Sequence, residues 1–483
     1  MVPVREVVEY LIDNRIIVLG LIFANYALAF VCAFREIMIS RTSQGSIAWL
    51  LSLLLLPFPT TFIYLAFGWK LMDDSSARKA AVGRARRIER AHDLSLRDEE
   101  AIAQWPVLAS VSQLPFQSGN TVELLIDGEA TFRSIFDGIA RARRTVFAQF
   151  YIIRDDRLGR ELATRLIERA QAGVDVYLLY DDVGSIFLPR RYLARLRAGG
   201  VKVSTFNRQH KLLRFYGPMR INYRNHRKIV VVDDAEAWVG GQNIGVEYLG
   251  HNPRFGRWRD TQVHVKGPAA TSCALVFRED WQWATSEVIA ATAPEAVEAD
   301  GEQSVLVMPS GPTDHLEECA IAFSEIIGRA RQRVWIVSPY FVPDVDMQTA
   351  LFAAVMRGVD VRILIPRKPD HLLVWLASNA HASKMIDHGI SVYRYDAGFL
   401  HQKVILMDDQ IAGVGTVNFD NRSFSINFEI TLWFTHPKMI ADVEAMLIQD
   451  FADSRPFTVE IRDSIPFPMR FAGYAARLLS PLL

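Results

Sequence analysis

Apolar and polar positions alternate with different periods along the chain, and the first stretch has no polar period at all. Two uncharged apolar runs, Ile16 to Phe34 and Ile47 to Trp69, are each long enough to cross a bilayer as a helix. Pro57 and Pro59 interrupt the second run and should kink or split a helix there. The short connection from Arg35 to Ser46 makes the pair a hairpin with both ends on one side. Lys70, Arg78, Lys79, Arg84, Arg86, Arg87 and Arg90 follow the second run, against Arg35 and Arg41 in the connection, an excess that predicts a cytoplasmic C-terminal body. A cleaved signal peptide fits poorly, because Glu6, Glu9 and Asp13 precede the first run and a second full run follows it. The expected division is a hairpin over 1–70 with spans about 16–34 and 47–69, then a charged linker helix over 71–105.

Beyond the linker the pattern becomes an alternation of apolar runs and amphipathic stretches, which is α/β. Strands are expected at Thr145 to Ile153, Val174 to Tyr180 and Lys202 to Phe206, with helices at Gly159 to Ala172 and Arg190 to Ala198. A stretch of Ala, Glu, Thr and Pro from Ala284 to Asp300 reads as a connection. The alternation then restarts with strands at Arg333 to Ser338, Val359 to Ile365 and Ser391 to Tyr395, and helices at Met347 to Met356 and Leu372 to Ile386. Two units follow, 106–295 and 296–483.

These two halves are copies of each other. Gly173 to Val176 recurs as Gly358 to Val361, and Phe150-Tyr151 is matched by Pro339-Tyr340. His226-Arg227-Lys228, an apolar run and Asp233 recur as His401-Gln402-Lys403, an apolar run and Asp408. At one common distance behind each His stands an Asn, Asn243 after Gly240-Gly241 and Asn418 after Gly415-Thr416. In an extended run residues i and i+2 share a face, so each His projects beside its Lys. A nucleophile or base thus stands next to a cation, and an Asn amide with Gly backbone N–H groups beside a Lys makes a pocket for phosphoryl oxygens. Asp233-Asp234 and Asp408-Asp409 are good turn residues.

Composition narrows the choice. Lys+Arg and Asp+Glu are both 54, so the chain has no formal net charge, which argues against a nucleic-acid protein. Half of the residues are hydrophobic and the mean hydropathy is slightly positive, as a membrane segment would give. Cys32, Cys273 and Cys319 lie far apart without paired spacing, which fits neither a disulfide framework nor a Cys-based zinc site.

Taken together, these residues resemble the duplicated signature of the phospholipase D superfamily, and the chain is similar over nearly its full length to bacterial cardiolipin synthases with an N-terminal membrane hairpin. The likeness extends to Trp49, Pro57, Tyr64 and Gly68, to Gly241-Gln242-Asn243-Ile244, Trp258-Arg259-Asp260, Ser338 to Pro343, Gly415 to Asp420, Arg422-Ser423 and Asn427-Phe428-Glu429. Thr60 stands where that resemblance leads one to expect Gly. The resemblance implies two tandem α/β sandwich units forming one pseudo-symmetric body, with a single active site at their interface. The motif residues His226, Lys228, Asp233, His401, Lys403 and Asp408 would form the catalytic set. One His would attack phosphorus and the other would move protons; by the superfamily pattern His226 is the nucleophile and His401 the acid/base, although the sequence does not decide this. Lys228, Lys403, Asn243 and Asn418 would hold the phosphoryl oxygens, and Asp260 and Glu429 would each orient a His ring. Asp233 and Asp408 more often hold such a fold than touch substrate. No metal or other cofactor is expected.

The implied activity moves a phosphatidyl group from one phosphatidylglycerol to another, giving cardiolipin and glycerol through a phosphohistidine. A phospholipase D-type hydrolase and a synthase using phosphatidylethanolamine as co-substrate are the alternatives. Expected partners are phosphatidylglycerol and anionic lipids of the bacterial inner membrane, not nucleic acid, and the resemblance is compatible with a homo-oligomer. The first half is longer than the second before its motif, and the added stretch from Arg208 to Arg224 mixes basic, aromatic and leucine residues as a contact with anionic head groups would. Ile465 to Leu483 is apolar but broken by Arg470 and Arg477, so it should lie on the membrane or pack on the body. His251, His264, His315, His371, His381, His388 and His436 have no ligand spacing and are read as structural.

Overall fold

The computed structural model describes residues 14–39, 43–67, 94, 96–206, 223–290, 300–314 and 316–480, and separates into two compact units. The basic cluster after the second apolar run, residues 71–93 of the expected linker helix, residues 291–299 of the connection between halves and residues 207–222 of the basic-aromatic stretch lie outside the described residues.

In the N-terminal unit the first apolar run forms the helix Arg15–Ile39, and the second forms two helices, Ser43–Leu55 and Pro57–Phe67. The break falls at the prolines, where the ring removes a backbone donor. Among the described helices only Arg15–Met38 is by itself long and apolar enough to cross a membrane. The three helices close on Ala29, Cys32, Leu53 and Tyr64, with Trp49 edge-on to Tyr64 at 5.1 Å. Buried Glu36 accepts hydrogen bonds from Ser46 Oγ at 2.8 Å and Tyr64 OH at 3.0 Å. Ile16, Phe23 and Phe30 instead face outward, 73–81% exposed, which is the inverse of a helix packed in water.

The body is built from the duplication. In the first half the strands run in the spatial order Lys202–Phe206, Asp175–Asp181, Thr145–Phe150, Ile229–Val232, Glu236–Gly240, Thr261–Lys266 and Gln117–Ile126. The second half repeats that order with Ser391–Tyr395, Asp360–Pro366, Arg333–Val337, Val404–Met407, Ile411–Gly415, Asn427–Phe434 and Gln303–Ser310. Gln117–Ile126 pairs antiparallel with Gln303–Ser310, so the two sheets join into one. Side chains of successive residues leave opposite faces of a strand. Val146, Ala148 and Phe150 therefore pack under the helices Asp127–Arg141, Arg157–Gln171 and Arg190–Ala198, while Phe147 stacks at 4.7 Å on Phe277 of the helix Pro268–Thr285. Val334 and Ile336 join the equivalent core in the second half, and Trp335 meets Phe451 of the helix Pro437–Ala452 at 5.4 Å on the other face.

One boundary differs from the expectation. Ala101, Trp105, Leu108, Val111 and Phe116, assigned from sequence to the linker and the first unit, pack in the core of the second half with Phe323, Ile326 and Trp433. Trp105 is fully buried, and the Arg329 guanidinium stands 4.3 Å over its ring. Substituting Trp105→Ala should therefore cost about 3–5 kcal/mol of stability, read as a lowered denaturant midpoint with both His motifs untouched.

At the C-terminus the helices Val459–Ser464 and Phe467–Arg477 pack on the body. Ala476 meets Ala377 and Val342, and a Cβ at Gly473 would touch the backbone of Leu376 at 3.2 Å, so the absent side chain permits close helix approach. Phe467, Phe471 and Leu478 remain outside, 63–79% exposed.

Candidate active site

The two His motifs meet across the joint between the halves. Arg224–Asn225 adds to the strand Asn427–Phe434 in parallel, and His226 N donates to Phe428 O at 2.9 Å. The mirror arrangement has Phe399–Leu400 beside Trp258–Arg259, with His401 N donating to Arg259 O at 2.8 Å. Each His is thereby fixed against the residue that precedes a carboxylate of the opposite half. His226 Nδ1 lies 2.9 Å from Glu429 Oε2, and His401 Nδ1 lies 2.7 Å from Asp260 Oδ2. Each imidazole thus faces a carboxylate of the opposite half, and the pairing is crosswise.

An ionised carboxylate accepts only, so the shared proton sits on Nδ1 and each Nε2 keeps its lone pair. Burial and the nearby lysines push both imidazoles down to about 4, against the opposing pull of their carboxylates, so they are neutral near pH 7. Burial alone would raise Glu429 and Asp260, but His226 and Lys228 hold Glu429 low while His401 and Lys403 hold Asp260 low. Glu429 also accepts from Thr416 Oγ1 at 2.6 Å and Asn427 Nδ2 at 3.1 Å.

The lysines lie behind the histidines. Lys228 Nζ donates to the carbonyl of His226 at 2.5 Å, and Lys403 Nζ donates to that of His401. Burial pushes Lys228 well below its ordinary value and Lys403 down to about 8. The two Asn positions are unequal. Asn243 Oδ1 accepts from Ile152 N at 3.0 Å and its Nδ2 donates to Tyr248 OH at 2.8 Å, whereas Asn418 Oδ1 has no hydrogen-bond partner among the described residues.

Asp233 and Asp408, included in the catalytic set by the motif, lie at the far end of their strands. Asp233 accepts the backbone N–H groups of Arg143, Arg144 and Thr145 at 2.7–2.8 Å, and Asp408 those of Arg331, Gln332 and Arg333 at 2.8–2.9 Å. Both adopt positive φ, 54° and 48°, as the turn residues they were expected to be. They clamp the sheet and do not touch the cavity.

A cavity of about 700 Å³ opens in front of the imidazoles, lined by both His and both Asn residues. This volume is in the range of small-molecule sites. Tyr151 stands edge-on to His226 at 5.1 Å, and Tyr248 and Trp258 lie 6.0 and 5.3 Å from His401. Arg154, Arg224, Arg422, Tyr340, Asp370 and His371 also line it. His371, read from sequence as structural, is thus a cavity residue; its place just beyond the end of the strand Asp360–Pro366 was the available signal. Arg224, the last residue of the basic-aromatic stretch, is buried and lines the cavity with His226. Among the described residues no group of three or more His, Cys, Asp or Glu side chains is placed to hold a metal ion.

The family described as "Cardiolipin synthase, PLD-like domain" matches residues 135–256 and 323–451, and the one described as "Phospholipase_D-nuclease N-terminal" matches residues 27–69. Cardiolipin synthase A of Pseudomonas aeruginosa is 43% identical over 476 residues, covering 96% of both chains. The enzyme of the same name from Pseudomonas syringae is 41% identical, covering 95% of this chain and 98% of that one. A crystal structure of phosphatidylserine synthase from Haemophilus influenzae shares the fold, with a TM-score of 0.61 at 16% identity over 78% of this chain and 99% of that one.

Two outcomes follow from the geometry. An anion entering beside two depressed imidazoles and two buried lysines raises their pKa values, so binding of tungstate as a phosphate analogue at pH 7 should take up about one proton per site. Calorimetry in buffers of different ionisation enthalpy reads it directly, and heat independent of buffer would contradict the assignment. Asp408→Asn should lower stability by about 1–3 kcal/mol, because hydrogen bonds to a charged acceptor weaken, while the folded fraction keeps its turnover.

Proposed function

Because the chain belongs to the cardiolipin synthase A family of phospholipase D-like enzymes, we propose that it transfers a phosphatidyl group between two phosphatidylglycerol molecules. The observation that carries this reading is the single cavity faced by one His from each half, each ring oriented by a carboxylate of the other. His226 is assigned as nucleophile, following the superfamily order. Its Nε2 lone pair attacks phosphorus, the bond from phosphorus to the glycerol oxygen breaks, and His401, protonated when the anionic substrate binds, gives its proton to the departing glycerol. The second phosphatidylglycerol then gives its hydroxyl proton to His401, its oxygen attacks phosphorus, and the bond from phosphorus to His226 breaks. Cardiolipin is released and both groups return to their starting states. Lys228, Lys403 and the Asn418 amide supply positive charge and donors around the phosphoryl oxygens.

The apolar N-terminal unit supports a multi-pass anchor in the cytoplasmic membrane, with the lysine and arginine excess after the second run favouring a body on the cytoplasmic side. The outward apolar face of Phe467–Arg477 supports contact of the body with the same surface. Labelled phosphatidylglycerol given to the purified protein should yield cardiolipin and glycerol. Phosphatidic acid without cardiolipin would identify a hydrolase, and ethanolamine as the main released alcohol in mixed lipid would identify a different donor. Acid-labile phosphorus trapped on quenching should sit on His226; its recovery on His401 would reverse the roles.

A further inference from the structure

The product of the proposed reaction carries two phosphodiesters joined by one glycerol, and the motif residues of the two halves serve only the phosphorus that reacts. The cations lining the cavity outside the motif are not equivalent. Arg154, bonded to Glu247, and Arg254, 5.0 Å over the ring of Phe255, are both exposed. Arg224 is buried and Arg422 is half-buried, and both line the cavity on the side of His226. Arg224 opposes Asn427 in the strand pair, and Arg422 sits on the short helix Asn421–Ser425 that leads into that same strand.

The duplication shows what is special about this pair. Arg224 precedes His226 by the spacing at which Phe399 precedes His401, and Arg422 follows Asn418 by the spacing at which Glu247 follows Asn243. At the positions equivalent to these two cavity-lining guanidinium groups the other half has the phenyl ring of Phe399, enclosed in the core, and the carboxylate of Glu247, which is bonded to Arg154. A chemistry that treated both sides alike would give no reason for the difference. A reaction that must seat one additional anion on one side does.

We propose that Arg224 and Arg422 form a second phosphodiester subsite, which holds the unreacted phosphodiester of the acceptor phosphatidylglycerol while its hydroxyl attacks. This rests on the transferase reading above. Guanidinium groups suit the task because their planar donors match two phosphate oxygens at once. Burial and the charge of Arg224 lower Arg422 from its ordinary value while Tyr151, Asp420 and Asp181 pull it up, and an anion bound at the pair adds to that pull. Asp181 and Asp420 lie in the same field: Asp181 accepts the backbone N–H groups of Val183, Gly184 and Asn225 at 2.9–3.1 Å, and Asp420 accepts that of Ser423 at 2.7 Å.

The test compares two water-soluble acceptors with phosphatidylglycerol as donor: glycerol, and glycerophosphoglycerol, which adds only a phosphodiester and a second glycerol. The wild-type protein should prefer glycerophosphoglycerol by about tenfold or more in kcat/KM, the discrimination expected of a charge-assisted bidentate contact. In Arg422→Gln and Arg224→Gln this ratio should fall toward one, and Arg422→Lys should keep part of it. A wild-type ratio near one, which needs no variant to fold, would overturn the subsite. So would a preference left unchanged in both Gln variants, since a structural role slows both acceptors alike. If the wild type makes only phosphatidic acid with either acceptor, it is the transferase reading that fails.

Discussion

Two buried imidazole–carboxylate pairs that cross between the halves are the interaction on which the body depends. Glu429 and Asp260 are fully enclosed, and a buried carboxylate without a partner is strongly destabilising. Each finds its imidazole only in the other half, so neither half satisfies its own charges. The short parallel pairings of Arg224–Asn225 with Asn427–Phe428 and of Phe399–Leu400 with Trp258–Arg259 bring the partners into register. The joint is fastened further out by Arg259, whose guanidinium grips Asp450 at 2.6 and 2.8 Å, and by Arg227, which donates to the carbonyls of Glu429 at 2.8 Å and Ser310 at 3.0 Å. Folding and assembly of the site are therefore a single event.

The same burial sets the chemistry. A surface imidazole would titrate near neutrality and exchange its hydrogen bonds with water; here desolvation keeps both rings neutral and their carboxylates fix which nitrogen bears the proton. Two lysines face two carboxylates in a small volume, so the resting cluster carries little net charge and an arriving phosphodiester tips the balance. In the proposed reaction, charge for the reacting phosphorus would come from fixed side chains held in place before substrate arrives, which is the condition for electrostatic stabilisation without reorganisation.

Duplication gives this site its two chemically similar ends, and departures from duplication give it direction. Glu429 is shared among His226, Thr416 and Asn427, whereas Asp260 accepts from His401 and the backbone of Thr261. Asn243 is engaged by Tyr248 and Ile152, whereas the oxygen of Asn418, at the border of the cavity, has no hydrogen-bond partner among the described residues. A transferase that binds two lipids in sequence needs such inequality, because the groups that hold the first must not compete for the second.

Much of this was legible in the amino-acid order. The alternating pattern located the strands at Lys202–Phe206 and Ser391–Tyr395 and the helices at Arg190–Ala198 and Leu372–Ile386 as they stand, because apolar period and turn residues are local properties. The repeat exposed the His, Lys and Asn positions for the same reason, and the prolines marked the break in the second apolar run. The joining strands Gln117–Ile126 and Gln303–Ser310 did not stand out, since their polar positions Gln117, Asn120 and Gln303 are buried by partners far away in the chain. Nor could periodicity assign Trp105 to the second core, or bring Arg224, Arg422 and His371 to the cavity. Which carboxylate serves which His was likewise decided only when the halves met: the choice lies in the register of two short strand pairs, and register between distant segments is a tertiary property that no local pattern encodes.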